Sequence, residues 1–183
     1  MDEQKTIKKS GIGDNKNFQT PEWCCELMAS LAPETVTKVL EPTPGGGNLV
    51  KSLSKRFEVV SPDGDFFDFD MSSSPKCVVM NPPFTPMVKG YKILYRCMER
   101  ADVIITLLPW LAIINSEKRT MDIMEFGLER IIHLPRSTFK GYRVQCCILV
   151  MKKGFSGSTT FETAKKPIFI VDDTGTANKE NHT

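Results

Sequence analysis

Apolar and polar positions alternate along this chain in two kinds of segment. Short apolar-rich runs at 36–41, 57–60, 76–80, 103–110, 130–134 and 145–152 predict strands, and a last one is expected at 167–171. The run at 76–80 (KCVVM) shows no in-and-out alternation, the pattern of a strand covered on both faces. Between these runs lie segments with helical character at 48–56, 87–100 and 115–126. Another helix is predicted to about residue 31 after Thr20-Pro21-Glu22, read as an N-cap, a proline at the first helical position and an early acid. The segment FSGSTTFETAKK (155–166) reads as a loop, 1–17 as a flexible polar arm and 173–183 as a flexible tail. Strands alternating with helices predict an α/β fold, a mostly parallel central sheet covered by helices, in a single domain over 18–172. Ligands of such sheets collect beyond the carboxyl ends of the strands, so the chemistry is expected where each strand stops.

The first strand stops in LEPTPGGG. Glycines there allow positive φ and let a ligand lie against bare backbone, although a glycine turn can also be a mere connection. No GxGxxG fingerprint is present, since Leu49 and Val50 stand where the third glycine is due, and no GKS or GKT follows. Glu41 at the lip of this turn can accept from a cationic amine or from hydroxyls. The next strand runs into SPDGDFFDFD, where Phe66 and Phe67 are costly to expose, so part of the loop is expected to pack. An acid beside a phenyl ring there can hold a flat heterocycle by accepting from its exocyclic amine. The third strand stops in NPPF. Asn81 brings a side-chain carbonyl, Pro82 and Pro83 stiffen the backbone without adding N–H donors, and Phe84 presents a ring. Two rigid oxygen acceptors under an aromatic plate suit a conjugated –NH2. Accepting from both its N–H groups favours the nitrogen as it rehybridises and gains positive charge during attack, so no general base is strictly needed.

Composition narrows the picture only a little. The chain has 183 residues, 40% apolar and 25% charged, which suits one globular domain. A net charge of +2 supplies no bulk field toward nucleic acid, so such contacts would come from local basic patches. Among these, Arg136, Lys140 and Arg143 flank Phe139 in a predicted loop, whereas Lys89, Lys92 and Arg96, and Lys118 with Arg119, read as solvated helix faces. Six cysteines with no CxxC spacing read as buried reduced thiols, and two histidines leave a histidine-based metal site or triad little to work with. No metal is expected. His133, in an apolar pattern, reads as packing, and Trp23 and Trp110 read as core. The N-terminus lacks the apolar stretch of a signal peptide and no run spans a bilayer, so a cytoplasmic protein is expected.

Taken together, these segments resemble the N6-adenine DNA methyltransferases that use S-adenosylmethionine, with a motif order like that of the gamma class. FQTPEWCCELMASL is similar to the N-terminal cofactor motif, VLEPTPGGG to the first sheet motif, and GDFF to the adenine-binding acid–phenylalanine pair. NPPF is similar to the catalytic motif of Asp, Asn or Ser followed by Pro-Pro and an aromatic residue. ADVIITLLPWLAIINSEKRT and IIHLPRSTFKGYRVQCCILVMKKG resemble the later strand motifs, so the resemblance spans about residues 18 to 153. It implies a Rossmann-like methyltransferase fold and S-adenosylmethionine as cofactor. Phe18, Thr20 and Pro21 would close over the methionine end, with Glu41, Pro42, Gly45 and Gly47 nearby. Asp65 would accept from the cofactor adenine amine beside Phe66. Asn81 and the Pro82 carbonyl, stiffened by Pro83, would hold the target amine, while Phe84 and Phe139 would contact the target base. A duplex substrate would need its adenine flipped out of the stack, at a cost on the order of a few kcal/mol.

Two departures from the family pattern stand out. Only four residues separate Val60 from Asp65, so the second βα unit is shortened and its helix is missing. Asp63 is then the nearest acid for the cofactor ribose. Moreover, the chain ends about thirty residues beyond VMKKG, where gamma-class enzymes carry a target-recognition domain. DNA recognition would then fall to the loop of Arg136, Lys140 and Arg143, to a specificity subunit, or to a homodimer partner. The resemblance implies an adenine-specific DNA methyltransferase of a bacterial cell or phage-infected host, as in restriction–modification. A methyltransferase acting on RNA adenine or protein glutamine is the alternative, although glutamine enzymes of this type usually read NPPY. A non-catalytic cofactor- or DNA-binding subunit is the other.

Overall fold

The computed structural model describes residues 19–139 and 144–165, together with the backbone of 168–171 and 177–180. Helix α1 (Glu22–Ser30) leads into β1 (Lys38–Leu40), α2 (Asn48–Leu53), β2 (Glu58–Val60) and β3 (Cys77–Met80). Then follow α3 (Met87–Arg100), β4 (Val103–Pro109), α4 (Leu111–Ile114), α5 (Glu117–Gly127), β5 (Leu128–His133), β6 (Cys146–Lys152) and β7 (Thr160–Thr163). Strands β1 to β7 form one sheet in the order β2-β1-β3-β4-β6-β5-β7. Every neighbouring pair is parallel except the two made by β6, which runs antiparallel to both β4 and β5. The carboxyl ends of β1, β2, β3, β4, β5 and β7 therefore share one edge.

The lack of alternation in the strands has its expected cause. Along β3, Cys77 and Val79 enter one apolar cluster while Val78 and Met80 enter the other. Strands β4 and β6 split in the same way, with Ile105 and Ile148 on one face and Ile104 and Leu149 on the opposite one. Helices α1 and α2 cover the first face through Cys24, Met28, Leu49 and Leu53. Helices α3, α4 and α5 cover the second through Ile93, Leu94, Ala112 and Ile123. All six cysteines are buried and free. Burial drives their thiols upward, to about 12 at Cys77, which makes them poor nucleophiles.

Several expectations need correction. Thr20 is not the helix cap: α1 starts at Glu22, Pro21 takes the cap position, and no side chain caps the helix. The helix expected at 115–126 forms as α5, with the Ser116 hydroxyl accepting from the Arg119 backbone N–H at its start, and the unexpected element is the short α4 before it. The loop expected at 155–166 contains β7, which extends the sheet beside β5. Strand β8 (Ile168–Val171) pairs antiparallel with β9 (Ala177–Glu180), inside the segment expected to be a flexible tail. Between β2 and β3 the helix is absent as expected, with only a 3-10 turn at Phe66–Asp68. His133 and Trp110 are half-buried at the carboxyl edge, where Trp110 Nε1 donates to His133 Nδ1 at 2.9 Å. No helix among the described residues is long and apolar enough to cross a membrane.

Candidate active site

A cleft of about 740 Å³ opens beyond β1, β2 and β3, closed on one side by the residues that precede α1. Its size lies within the roughly 300–1,000 Å³ typical of small-molecule sites. It brings together eleven of the residues singled out in the sequence: Thr20, Glu41, Pro42, Gly45, Asp63, Asp65, Phe66, Asn81, Pro82, Pro83 and Phe84. Pro21 and Gly47 flank the cleft in sequence but do not line it. Arg136 is exposed on the turn after β5, and Phe139 is buried in the first apolar cluster. Neither lines the cleft. Phe18, Lys140 and Arg143 lie outside the described residues.

The glycine turn after β1 is built by positive φ angles at Gly45 (52°) and Gly47 (86°), the second standing at the N-cap of α2. A side chain is strained at either position, and a Cβ on Gly47 would meet open space. Beside the turn, Glu41 is 1% exposed. Its Oε1 accepts from the Thr43 backbone N–H at 2.8 Å and lies 2.9 Å from the Thr43 hydroxyl. Burial pushes its carboxyl up to about 8, outweighing these two bonds, which favour the anion. A neutral acid at the floor of an open cleft is ready to ionise when a cation arrives.

On the opposite wall, Asp65 caps the 3-10 turn by accepting from the Phe67 N–H at 3.1 Å, and it also receives Lys89 Nζ at 3.3 Å. These contacts, the backbone bond first, hold its carboxyl below the ordinary value. Phe66 is buried beneath Arg96, whose guanidinium lies 5.2 Å from the ring centroid and donates to the Phe67 and Phe69 carbonyls. Helix α3 thus anchors the loop between β2 and β3. Phe67, by contrast, is 37% exposed, so only part of the expected packing forms.

Asn81 follows the last residue of β3 and stands on the floor of the cleft. Its Nδ2 donates to Thr20 Oγ1 at 2.8 Å. Its Oδ1 is closed off from solvent yet accepts no hydrogen bond. Buried carbonyl oxygens of this kind are normally paired, so an unpaired one on a residue that lines a cleft marks an acceptor in want of a donor. Pro82 is buried, and Pro83 and Phe84 are half-buried along the same wall. Sequence reasoning missed Gln19, Thr43, Asn48 and Val144, which also line the cleft, and read Lys89, another lining residue, only as part of a solvated helix face. Of these, Asn48 and Lys89 had a signal: each is a polar residue within the first turn of a helix that follows a strand end.

No protein-family model matches the sequence, and no curated protein matches it. Solved structures do. A protein from Listeria monocytogenes described as a class I S-adenosylmethionine-dependent methyltransferase superposes over 85% of this chain and 68% of its own, with a TM-score of 0.66 at 16% identity. The methyltransferase subunit of a type I restriction–modification system from Streptococcus thermophilus matches 80% of this chain with a TM-score of 0.63 at 17% identity. The chain spans only 47% of that subunit's length. A 23S rRNA methyltransferase matches 76% of this chain and 71% of its own, at a TM-score of 0.55 and 17% identity. The chain therefore has the Rossmann-like fold of the S-adenosylmethionine-dependent methyltransferases.

Proposed function

We propose that this chain transfers a methyl group from S-adenosylmethionine to the exocyclic N6 amine of adenine in DNA. The observation that carries the reading is the buried, unpaired Asn81 Oδ1 on the cleft floor, next to a glycine turn and a buried acid.

The donor set fits the cofactor. Glu41, buried and near neutral, would hold the cationic amine of the methionine end, and Gly45, Gly47 and Pro42 would leave room along the turn. Thr20 and Pro21 would close that end, together with Phe18. Asp65 would accept from the cofactor adenine amine beside Phe66, and Asp63 would take the ribose hydroxyls. Bound there, the cofactor supplies an electrophilic methyl group on its sulfonium sulfur.

The chain's own residues would do the rest. Asn81 Oδ1 and the Pro82 carbonyl accept from the two N–H bonds of the target amine. As the nitrogen attacks, its lone pair leaves conjugation and its hydrogens become more acidic. Both bonds therefore strengthen in the transition state, which is the condition for catalysis rather than mere binding. Pro82 and Pro83 keep the acceptors still, and Phe84 stacks on the base. The proton leaves the methylated nitrogen for solvent after transfer. Arg136, Lys140 and Arg143 on phosphates would add the backbone contacts, with Phe139 buried in the apolar cluster rather than at the base. A second subunit would add sequence recognition, in keeping with the type I neighbour, which is itself a subunit of a larger system.

The test is incubation with labelled methyl donor and unmethylated genomic DNA, followed by nucleoside analysis. Label in N6-methyladenine is expected, and Asn81→Ala should lower the rate at least about 100-fold while cofactor affinity stays within a few-fold. Label entering RNA or protein but not DNA overturns the substrate. A wild-type protein that binds cofactor but transfers nothing overturns the enzyme and leaves a binding subunit.

A further inference from the structure

Thr20 stands where a helix cap was expected, yet its hydroxyl serves a residue 61 positions away. It is 5% exposed, and its Oγ1 accepts from Asn81 Nδ2 at 2.8 Å. Its carbonyl is held as well, by Cys25 Sγ at 3.5 Å from within α1 and by Asn48 Nδ2 at 3.2 Å from the first residue of α2. The backbone at residue 20 is thus pinned by two helices, and the hydroxyl it carries is the one partner of the Asn81 amide among the described residues. We infer that Thr20 is a positioning residue for Asn81, fixing where its side-chain amide lies so that Oδ1 can meet the target amine. This role rests on the reading of Asn81 as the acceptor for the target amine, and differs from any contact Thr20 makes with cofactor.

An asparagine amide turns freely about its last torsion unless something holds one end. A hydroxyl can meet either end, accepting from the –NH2 or donating to the oxygen. Thr20 therefore fixes where the amide lies, and the N–H of an arriving amine selects the arrangement with oxygen outward. Without the hydroxyl, Nδ2 is left buried and unpaired, and the amide swings to find a partner. Misplacing an acceptor by about 1 Å can cost roughly 100-fold in rate. The same hydroxyl ties residue 20, just before α1, to the residue that follows β3.

The experiment compares Thr20→Val, which keeps the shape and removes the hydroxyl, with Thr20→Ser, which restores it. In ¹⁵N-labelled protein, the Asn81 side-chain signals are identified by their loss in Asn81→Ala. They should shift and exchange faster with solvent in Thr20→Val and return in Thr20→Ser. Unchanged signals in Thr20→Val overturn the contact. In the transfer assay at saturating cofactor, Thr20→Val should be about 10–100-fold slower with cofactor affinity within about threefold of wild type, and Thr20→Ser near wild type. Weaker cofactor binding with an unchanged saturated rate overturns the positioning role and leaves a cofactor contact only. If wild type transfers methyl to no substrate, the proposed activity fails, whereas the amide signals still decide the contact. Should Thr20→Val not fold, Thr20→Ala removes the same hydroxyl with less bulk.

Discussion

Glu41 shows how far one residue's environment departs from its type. At its ordinary value of 4.5 a glutamate is ionised at neutral pH, but burial lifts this one to about 8. Between those values the unfolded chain has released the proton while the folded chain keeps it. The stability it confers is thus complete below 4.5 and lost as pH rises toward and through about 8. Glu41→Gln, neutral at every pH, should flatten that slope. Urea unfolding at pH 5.5 and 8.5 is expected to show wild type losing on the order of a few kcal/mol more than the variant between the two. An equal loss would mean that Glu41 is already ionised. A cation held there would displace the same proton, so cofactor affinity should rise with pH over this window, and Glu41→Gln should weaken it about 10–100-fold. The identity of Glu41, Asn81 and Phe84 as candidates was legible because each stands where an apolar run stops. Thr20 was misread because a threonine before Pro-Glu matches a cap locally, while its true partner lies across the fold.

At the level of elements, Gly90 holds α3 against the NPPF segment. A Cβ there would meet the Pro83 carbonyl oxygen at 2.6 Å, a backbone atom that cannot swing aside. Gly90→Ala gains about 1 kcal/mol of helix propensity but forces helix and loop apart, so stability should change by no more than about 2 kcal/mol. Methyl transfer should fall about 10–100-fold, because the displaced loop carries both acceptors. An activity equal to wild type in a rate assay would show that the helix does not set the loop. The central strands were easy to read, since both faces are covered and every position is apolar. Strand β7 was not: Thr160, Phe161, Glu162 and Thr163 are all exposed, and one aromatic in four residues sends no signal. Backbone pairing with β5 and the paired contacts of Arg130 with Glu162, at 2.8 and 2.7 Å, hold it at the sheet edge. Helix α5 was legible from its apolar spacing, whereas α4 is only four residues long and too short to show a period.

For the molecule as a whole, the cleft draws on β1, β2, β3 and the segment before α1, so a ligand seated there bridges parts distant in sequence. S-adenosylmethionine at about 100 times its Kd should add about 2.7 kcal/mol to folding stability, raising the melting temperature by roughly 5–10 °C. Thermal unfolding with and without cofactor checks this, and an unmoved transition would remove the cofactor from the account. The order of strands and helices, the covered sheet and the clustering of unusual residues at strand ends follow from the chain's own pattern, because local periodicity reports which faces are buried. Nothing local could reveal that β6 runs antiparallel between β4 and β5, that Thr20 meets Asn81, or that Phe139 turns into the core while Phe84 lines the cleft. Those outcomes depend on contacts between segments far apart along the chain, and such contacts exist only once the sheet has assembled.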